Sequence, residues 1–371
     1  MSDPRSRPPA PTPLMRELQL LIQTQGPLSL SRYMQLCLTH PQHGYYRSRD
    51  PLGSAGDFVT APEISQLFGE MIGIWVLIQW RILGQPERFD LVELGPGRGT
   101  LLADALRVIA KEPDALAALQ PVLLETNPKL IEMQRRTLAS CPAHPPYTIR
   151  WIEEIEQLGN PPHPLIVIAN EFFDALPIVQ LQYQRGNWHE RLVGMDGNRL
   201  VWGLSPSPVA PKDLPAPFNA PENAGNSPDI DENAIIEFSP LARATMARLA
   251  HTLHRRGGAL MALDYGYATP RTGETLQAVT DHAFADPLTR PGERDLSAHV
   301  DFRALLEQAR QAGIDAHMAG TQGQVLRELG IMQRAETLMQ SNPDKAQEIL
   351  AGLKRLVETD QMGDLFKVLV A

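Results

Sequence analysis

The sequence has few cysteines, no metal-binding motif and no excess of positive charge. Only two of its 371 residues are cysteines, Cys37 and Cys141, and neither belongs to a Cys-x-x-Cys motif or to a Cys/His cluster with metal-ligand spacing. The sequence therefore predicts two reduced thiols and no metal site. A formal net charge of -9 disfavours a general nucleic-acid-binding protein, because such proteins neutralise phosphates with a basic surface. The charge weakly favours a basic protein or peptide as the partner.

The sequence also lacks an apolar run long enough to cross a membrane. The longest strongly apolar run, residues 72–78 (IGIWVLI), lies between Glu70 and Arg81 and is far shorter than the ~20 residues that a bilayer requires. The first residues, MSDPRSRPPAPTP, have no apolar core of a signal peptide and too many prolines for an amphipathic transit helix. We therefore expect a soluble, cytoplasmic protein with a disordered N-terminal tail.

Short apolar runs alternate with helical patterns over residues 89–201. The runs DLVEL, PVLLE, YTIRW and LIVIAN are interrupted by predicted helices at 100–110 and 128–138. Alternation of this kind is typical of parallel strands joined by crossover helices. The fold class is therefore predicted to be α/β, with a Rossmann-like sheet.

Further elements are predicted on both sides of this region. The apolar spacing predicts a helix over residues 63–83 and another over 324–339. Two antiparallel strands are expected to turn at Asp196-Gly197. Residues 205–233 are rich in proline, which suits a solvated loop better than a packed element.

A glycine-rich turn, ELGPGRGT, follows the first apolar run directly. Glycines after a strand allow a tight turn and the close approach of a ligand, and the next helix offers unpaired N–H donors. The spacing is Gly-x-Gly-x-Gly (Gly95, Gly97 and Gly99), with Thr100 where a dinucleotide fingerprint has its last glycine. A nicotinamide site is thus disfavoured but not excluded. Glu93, just before the turn, would repel a pyrophosphate and suits a ligand that carries a cation.

Acidic residues also follow the second and third apolar runs. Glu125 ends the second run, where a strand-end carboxylate can accept hydrogen bonds from both hydroxyls of a ribose. Glu93 and Glu125 together predict an adenosine with a cationic amino-acid tail, which is S-adenosylmethionine. After the third run, either Glu153 or Glu154 could accept a hydrogen bond from the adenine amino group. The alternative is that these acids are solvated residues at strand ends.

The fourth run continues into the segment NEFFDALP. In open α/β sheets ligands bind beyond the carboxyl ends of the strands, so Asn170, Glu171 and Asp174 are expected at the reacting group. The two carboxylates could hold a guanidinium through bidentate hydrogen bonds and aim one of its nitrogens. The alternative is that Asn170 or Asp174 caps a helix.

Two more residues are weaker catalytic candidates. His299, in DLSAHVDF, could accept the proton that a guanidinium loses on methylation, although a lone histidine before a helix is more often a capping or packing residue. Asp264, at the end of the run GALMALD, could point into the same cleft.

Seven segments of the sequence resemble, in their order, the MidA family of S-adenosylmethionine-dependent methyltransferases. They are GDFVTAPEISQLFGE, LVELGPGRGTLL, LLETNP, ANEFFDALP, LDYGY, RDLSAHVDF and MGDLFKVL. The resemblance extends from about residue 14 to the C-terminus. It implies the class I methyltransferase fold, a seven-stranded sheet with an added helical part that covers the cofactor.

The resemblance also implies roles for individual residues. It places Gly95, Pro96 and Gly97 against S-adenosylmethionine, Glu125 on the ribose, and the segment from Asn170 to Asp174 at the methyl group. A loop that contains Asp57, Thr60 and Glu63 is expected to close over the site.

The implied division of the chain follows these motifs. Its predicted parts are a disordered tail (1–13), a helical region with the covering loop (14–84), the first part of the methyltransferase core with a β-hairpin extension (85–204), the proline-rich loop (205–233), and the second part of the core with a helical insertion (234–371).

The acceptor of the methyl group is less constrained by the sequence. The eukaryotic members of the family are mitochondrial complex I assembly factors that act as protein arginine methyltransferases, so the resemblance implies a protein partner that presents an arginine. No mitochondrial presequence is visible, which favours a bacterial cytoplasmic homologue with its own target. Two alternatives stay open: a small-molecule amine or another protein nitrogen as the acceptor, or an assembly chaperone with a vestigial cofactor pocket.

Overall fold

The computed structural model describes residues 11–48, 60–141, 148–219, 230–280 and 283–371. The strands, in chain order, are β1 (Leu28–Ser29), β2 (Phe89–Leu94), β3 (Leu119–Leu124), β4 (Arg150–Ile152), β5 (Leu165–Asn170), β6 (Val179–Gln184), β7 (Asn187–Asp196), β8 (Arg199–Leu204), β9 (Ile235–Phe238), β10 (Gly258–Tyr267), β11 (Gln277–Thr280), β12 (Ala283–Ala285), β13 (Asp295–Ser297), β14 (Val300–Asp301), β15 (His317–Thr321) and β16 (Phe366–Val370).

The helices connect these strands and cover the sheet. In chain order they are α1 (Pro13–Gln25), α2 (Leu30–Thr39), α3 (Tyr45–Ser48), α4 (Ala61–Ile64), α5 (Gln66–Ile82), α6 (Thr100–Ile109), α7 (Pro113–Ala118), α8 (Pro128–Ala139), α9 (Pro240–Arg256), α10 (Phe302–Gln311), α11 (Gln322–Glu328), α12 (Ile331–Ser341), α13 (Ala346–Val357) and α14 (Met362–Leu365). In the parts of the chain that the structure describes, none of the helices has the length and apolar character needed to span a membrane.

A central sheet has the strand order β4-β3-β2-β5-β10-β16-β15, and β14 pairs with the end of β10. The five strands from β4 to β10 are parallel, whereas β16 and β15 are antiparallel to their neighbours. The seven-stranded α/β sheet expected from the sequence is therefore confirmed. Chain order reverses between β2 and β5, and the crevice beyond the carboxyl ends of strands at such a switch point is where ligands bind in open α/β sheets.

The sheet buries apolar residues on both faces, which explains why its central strands read as continuous apolar runs. All six residues of β2 and all six of β5 are buried. Alternate side chains face opposite layers: Leu91 packs under α5 and α6, whereas Val92 packs under α9 and α10. Helices on both faces fix the strand ends, and thereby the residues that follow them.

Two predicted helices are each divided in the structure. The pattern over residues 63–83 splits into α4 and α5 because Ser65 is extended, with φ -161° and ψ 137°, and its hydroxyl accepts the N–H of Leu67. The pattern over residues 324–339 splits into α11 and α12 because Gly330 adopts a left-handed conformation with φ 94°. Apolar periodicity alone did not reveal either break.

The N-terminal helices pack on a second layer of structure outside the main sheet. α1 and α2 share an apolar cluster with β7, β8 and the small sheet β12-β11-β13. The predicted hairpin is confirmed, since β7 and β8 are antiparallel and Gly197 in their turn has φ 55°. The boundaries proposed above for the parts of the chain stay a prediction, and residues 1–10 and 220–229 of the predicted tail and proline-rich loop lie outside the described residues.

Candidate active site

A cavity of 340 Å³ lies at the carboxyl ends of β2, β3 and β5. This size is in the range of pockets that bind small molecules. The cavity is lined by eight of the residues predicted from the sequence: Glu93, Gly95, Pro96, Gly97, Glu125, Asn170, Glu171 and Asp174. Residues that are far apart in the chain thus meet at the switch point of the sheet.

The glycine-rich turn between β2 and α6 requires its glycines for different reasons. Gly95 and Gly97 have φ values of 60° and 53° and line the cavity, and a Cβ on Gly95 would lie 3.1 Å from the ring of Phe172. Gly99, with φ 82°, caps α6 and faces α8, where an added Cβ would lie 3.4 Å from the Cα of Gln134. Gly99 is not among the described residues that line the cavity, and it lets α6 and α8 approach each other. Its cofactor contact stays a prediction.

Glu93 is a buried acid on the wall of the cavity. Its Oε2 atom has no hydrogen-bond partner among the described residues, and burial raises the pKa of its carboxyl to about 8. A positively charged or hydrogen-bond-donating ligand would supply the missing partner.

The carboxylate of Glu125 is held in one orientation by its neighbours. Oε1 accepts the N–H groups of Thr126 and Asn127 at 2.9 and 2.8 Å, and Oε2 accepts from Gln134 Nε2 at 3.3 Å. Burial raises the pKa of Glu125, while these hydrogen bonds and the charge of Arg47 lower it. The side chain is thus a fixed hydrogen-bond acceptor at the edge of the cavity.

Glu171 connects the turn after β5 to the segment that covers the cavity. It has a left-handed backbone with φ 48°, and its Oε1 accepts the N–H of Ala61 at 2.9 Å and Asn170 Nδ2 at 3.2 Å. Burial, together with the charge of Asp174, raises the pKa of Glu171 to about 7. A non-glycine residue in this conformation is strained, and such strain is concentrated at functional sites.

Asp174 lies beside Glu171 and has one oxygen without a partner. The hydroxyl of Tyr265 donates to its Oδ2, whereas Oδ1 is buried with no hydrogen-bond partner in the described part of the chain. Burial raises the pKa of Asp174 to about 6. Asp264 does not point into the cleft: its Oδ2 accepts the N–H groups of Phe173 and Asp174, so it supports the turn from behind.

The covering segment closes one side of the cavity. Thr60, Pro62 and Glu63 line it, and the hydroxyl of Thr100 at the start of α6 donates to Glu63 Oε1 at 2.6 Å. Asp57, which was predicted in the same loop, lies outside the described residues.

The structure places the predicted adenine acceptors away from the cavity. Glu153 and Glu154 are exposed, and neither is among the described residues that line the cavity. Their backbone N–H groups donate to Gln157 Oε1, and Glu154 caps the short 3-10 helix over Ile155–Leu158. The prediction for both acids is corrected because both are exposed and lie outside the described cavity lining.

His299 also lies outside the cavity. Its ring packs edge-to-face against Tyr265, with centroids 5.5 Å apart, and burial and the charge of Arg271 lower its pKa. Tyr265 separates the imidazole from Asp174. The predicted role of His299 as a direct proton acceptor is therefore corrected, since it supports Tyr265 from behind the site.

Sequence reasoning missed Gln134, which contacts two parts of the cavity wall. This residue has no exposed area and lies between Leu130 and Leu138 at helical spacing, in the buried stripe of α8. A glutamine at an apolar position of an amphipathic helix was the available signal, because a buried amide needs hydrogen-bond partners.

The unpartnered atoms of the cavity indicate the charge of its ligand. Among the described residues, the buried unpartnered atoms on its lining are Glu93 Oε2, Asn170 Oδ1 and Asp174 Oδ1, and all three are acceptors. A ligand with an ammonium or another cationic group satisfies acceptors, whereas the negative pyrophosphate of a dinucleotide brings only further acceptors. This set of acceptors therefore fits S-adenosylmethionine.

Replacing Glu93 is expected to change the pH dependence of stability. Because the pKa of Glu93 is about 8 in the folded protein and 4.5 ordinarily, its contribution to the free energy of unfolding is full below pH 4.5 and is lost as the pH rises through 8. Glu93→Gln cannot ionise, so the cofactor-free variant should be more stable than wild type at pH 8.5 by on the order of 2 kcal/mol. Urea unfolding at pH 5 and pH 8.5 measures this, and an equal difference at both pH values would contradict it.

Comparison with known proteins places the chain in a family. A model of a family described as S-adenosyl-L-methionine-dependent methyltransferases matches residues 71–320. The mitochondrial protein arginine methyltransferase NDUFAF7 homolog of Drosophila melanogaster is 35% identical, covering 96% of this chain and 84% of that protein. Human NDUFAF7, also named a mitochondrial protein arginine methyltransferase, is 33% identical over 96% of this chain and 82% of its own length.

A solved structure matches along nearly the whole chain. It is a methyltransferase-like protein of Burkholderia thailandensis with bound S-adenosyl-homocysteine, 28% identical, with a TM-score of 0.82 and coverage of 98% of this chain and 95% of that one. The predicted cofactor is confirmed by these matches. The predicted cytoplasmic localisation is contradicted, because the curated relatives are named as mitochondrial proteins. The chain belongs to the MidA family of S-adenosylmethionine-dependent methyltransferases.

Proposed function

We propose that this chain transfers a methyl group from S-adenosylmethionine to an arginine side chain of a protein. The observation that carries the proposal is the pair of carboxylates, half-buried Glu171 and buried Asp174, on the wall of the cofactor cavity. Relatives at 33–35% identity are named protein arginine methyltransferases, which supports the same acceptor. Two further acids on the lining, Glu63 and Asp295, make the cavity suited to a cationic acceptor.

The carboxylates would hold and orient the acceptor. When ionised, Glu171 and Asp174 can accept charge-assisted hydrogen bonds from two nitrogens of one guanidinium, which leaves the third nitrogen as the nucleophile. The free oxygen of Asp174 has no competing partner among the described residues, so a guanidinium N–H can occupy it without breaking an existing bond. Asp264 and Tyr265 keep the turn and Asp174 in place.

The reaction also requires the removal of one proton. Bound S-adenosylmethionine supplies an electrophilic methyl group. The acceptor nitrogen gains the methyl group and loses a proton, and a carboxylate whose pKa burial has raised towards neutrality is a better base than an ordinary one. Asp174, with a pKa of about 6, lines the cavity and has one buried oxygen without a hydrogen-bond partner among the described residues, and it would receive that proton.

Transfer of label to arginine tests the proposal. The purified protein is incubated with S-adenosylmethionine labelled in the methyl group and with a protein extract, and the labelled proteins are hydrolysed to amino acids. We expect label in methylarginine, with a rate that rises from pH 6 to pH 8 as Glu171 and Asp174 ionise. Excess S-adenosylhomocysteine should abolish the label. Label in another amino acid or only in small molecules would refute an arginine acceptor.

A further inference from the structure

Gln134 connects two walls of the cofactor cavity through a single buried amide. Its Nε2 donates to the carbonyl oxygen of Gly97 at 2.8 Å and to Glu125 Oε2 at 3.3 Å. Its Oε1 accepts from Trp151 Nε1 at 2.8 Å. One side chain therefore contacts the glycine-rich turn after β2, the acid after β3 and the aromatic residue of β4.

The chemistry of these partners allows only one orientation of the amide. The indole N–H of Trp151 can only donate, so the amide oxygen must face it. The two remaining partners, the carbonyl of Gly97 and the carboxylate of Glu125, only accept, so both must face the NH2 group. Reversal of the amide would break all three hydrogen bonds at once, around a side chain that has no exposed area.

We propose that Gln134 is a positioning residue for the cofactor: it fixes Gly97 and Glu125 relative to each other, and Trp151 fixes the orientation of its amide. The inference rests on the cofactor role proposed for Glu125, but not on the identity of the methyl acceptor. The amide does not line the cavity among the described residues, so it acts through the groups that do. Its contribution should be to cofactor affinity and not to the rate of transfer.

The hydrogen bond to Glu125 has an electrostatic consequence that distinguishes positioning from simple packing. Burial raises the pKa of Glu125, and the hydrogen bonds from Asn127, Gln134 and Thr126, with the charge of Arg47, lower it again. Loss of the Gln134 amide removes one of the contributions that favour the ionised form. Ribose hydroxyls donate best to an ionised carboxylate. When the pH is lowered, cofactor affinity should therefore begin to fall at a higher pH in a variant without the amide than in wild type.

Titration calorimetry with S-adenosylhomocysteine, repeated from pH 5 to pH 8, tests the proposal without any acceptor. Gln134→Met keeps a similar volume and loses both donors, so we expect the Kd to rise by about 10–100-fold at pH 7. The weakening of binding on acidification should begin at a higher pH than in wild type. In a separate label-transfer assay, which does require an acceptor, kcat at saturating S-adenosylmethionine should stay within about twofold of wild type while KM for the cofactor rises.

A second variant distinguishes loss of the positioning contact from a folding defect. Trp151→Phe removes the indole N–H and keeps an aromatic ring, so it should weaken binding by about 3–10-fold through the freed amide. Thermal unfolding of both variants without cofactor provides the control for the fold. A Kd within twofold of wild type for Gln134→Met, a loss of affinity that is equal at every pH, or a fall in kcat without a rise in KM would each overturn the proposal.

Discussion

Glu171→Gln is expected to lower kcat by about 100-fold or more, with the Kd of S-adenosylhomocysteine within about threefold of wild type. The substitution keeps the volume of the side chain and an oxygen that can accept the N–H of Ala61, so the covering segment should stay in place. It removes the negative charge that would hold and orient a guanidinium. The defect should therefore appear in turnover and not in cofactor binding.

The pH profile adds a second readout for Glu171. Its pKa of about 7 predicts that the wild-type rate rises as the carboxyl ionises near neutral pH. In Glu171→Gln the residual rate should lose this rise and follow the remaining group, Asp174, near pH 6.

Glu153→Gln is the matched control for this variant. It makes the same chemical change at an exposed acid outside the cavity lining, and it should leave kcat and Kd unchanged. Unchanged turnover in Glu171→Gln would remove Glu171 from the mechanism, and a loss of less than about tenfold would be too small for the proposed orientation of the acceptor.

The sequence predicts the fold well because the central strands are buried on both faces. Such strands need uninterrupted apolar residues, so a run such as LIVIAN can be predicted as a strand without tertiary information. The helix breaks at Ser65 and Gly330 are harder to predict, because the backbone conformation of a single residue interrupts an apolar stripe that continues on both sides.

Site residues could be predicted where the strand order determines their position, and could not where a single side-chain contact does. Glu93, Glu125, Glu171 and Asp174 line the cavity because parallel strands bring their carboxyl ends to one edge, which strand order alone implies. Glu153 also follows a strand, but it is exposed and lies outside the described cavity lining, and its backbone N–H donates to the side chain of Gln157.

Sequence reasoning missed Gln134, which bonds to two residues of the cavity lining, and it selected His299, which lies outside that lining. Gln134 lies in the middle of a helix, where its role depends on three partners from separate segments. His299 contacts the ring of Tyr265, and the hydroxyl of Tyr265 in turn donates to Asp174, so Tyr265 lies between His299 and Asp174.

Gly97→Val is expected to reduce the affinity for S-adenosylhomocysteine by more than about 100-fold, beyond the range of titration calorimetry at ordinary concentrations. Gly97 has φ 53° and lines the cavity, so a β-branched side chain would be strained there and would occupy space that a ligand needs. The shifted backbone would also displace the carbonyl oxygen that Gln134 holds. Transfer activity should be lost with binding.

Gly197→Val is the control that distinguishes the effect of backbone strain from the effect of a side chain in the cavity. Gly197 has nearly the same conformation, φ 55°, but lies in the turn between β7 and β8 with no atom within 4 Å of an added Cβ. Both variants should lose stability by about 1–2 kcal/mol, the cost of a left-handed conformation for a residue with a Cβ. Only Gly97→Val should lose the ligand, because only there does the new side chain meet the cavity. Equal affinity in the two variants would mean that the ligand does not approach the turn after β2, and the assignment of the cofactor site to this cavity would have to be abandoned.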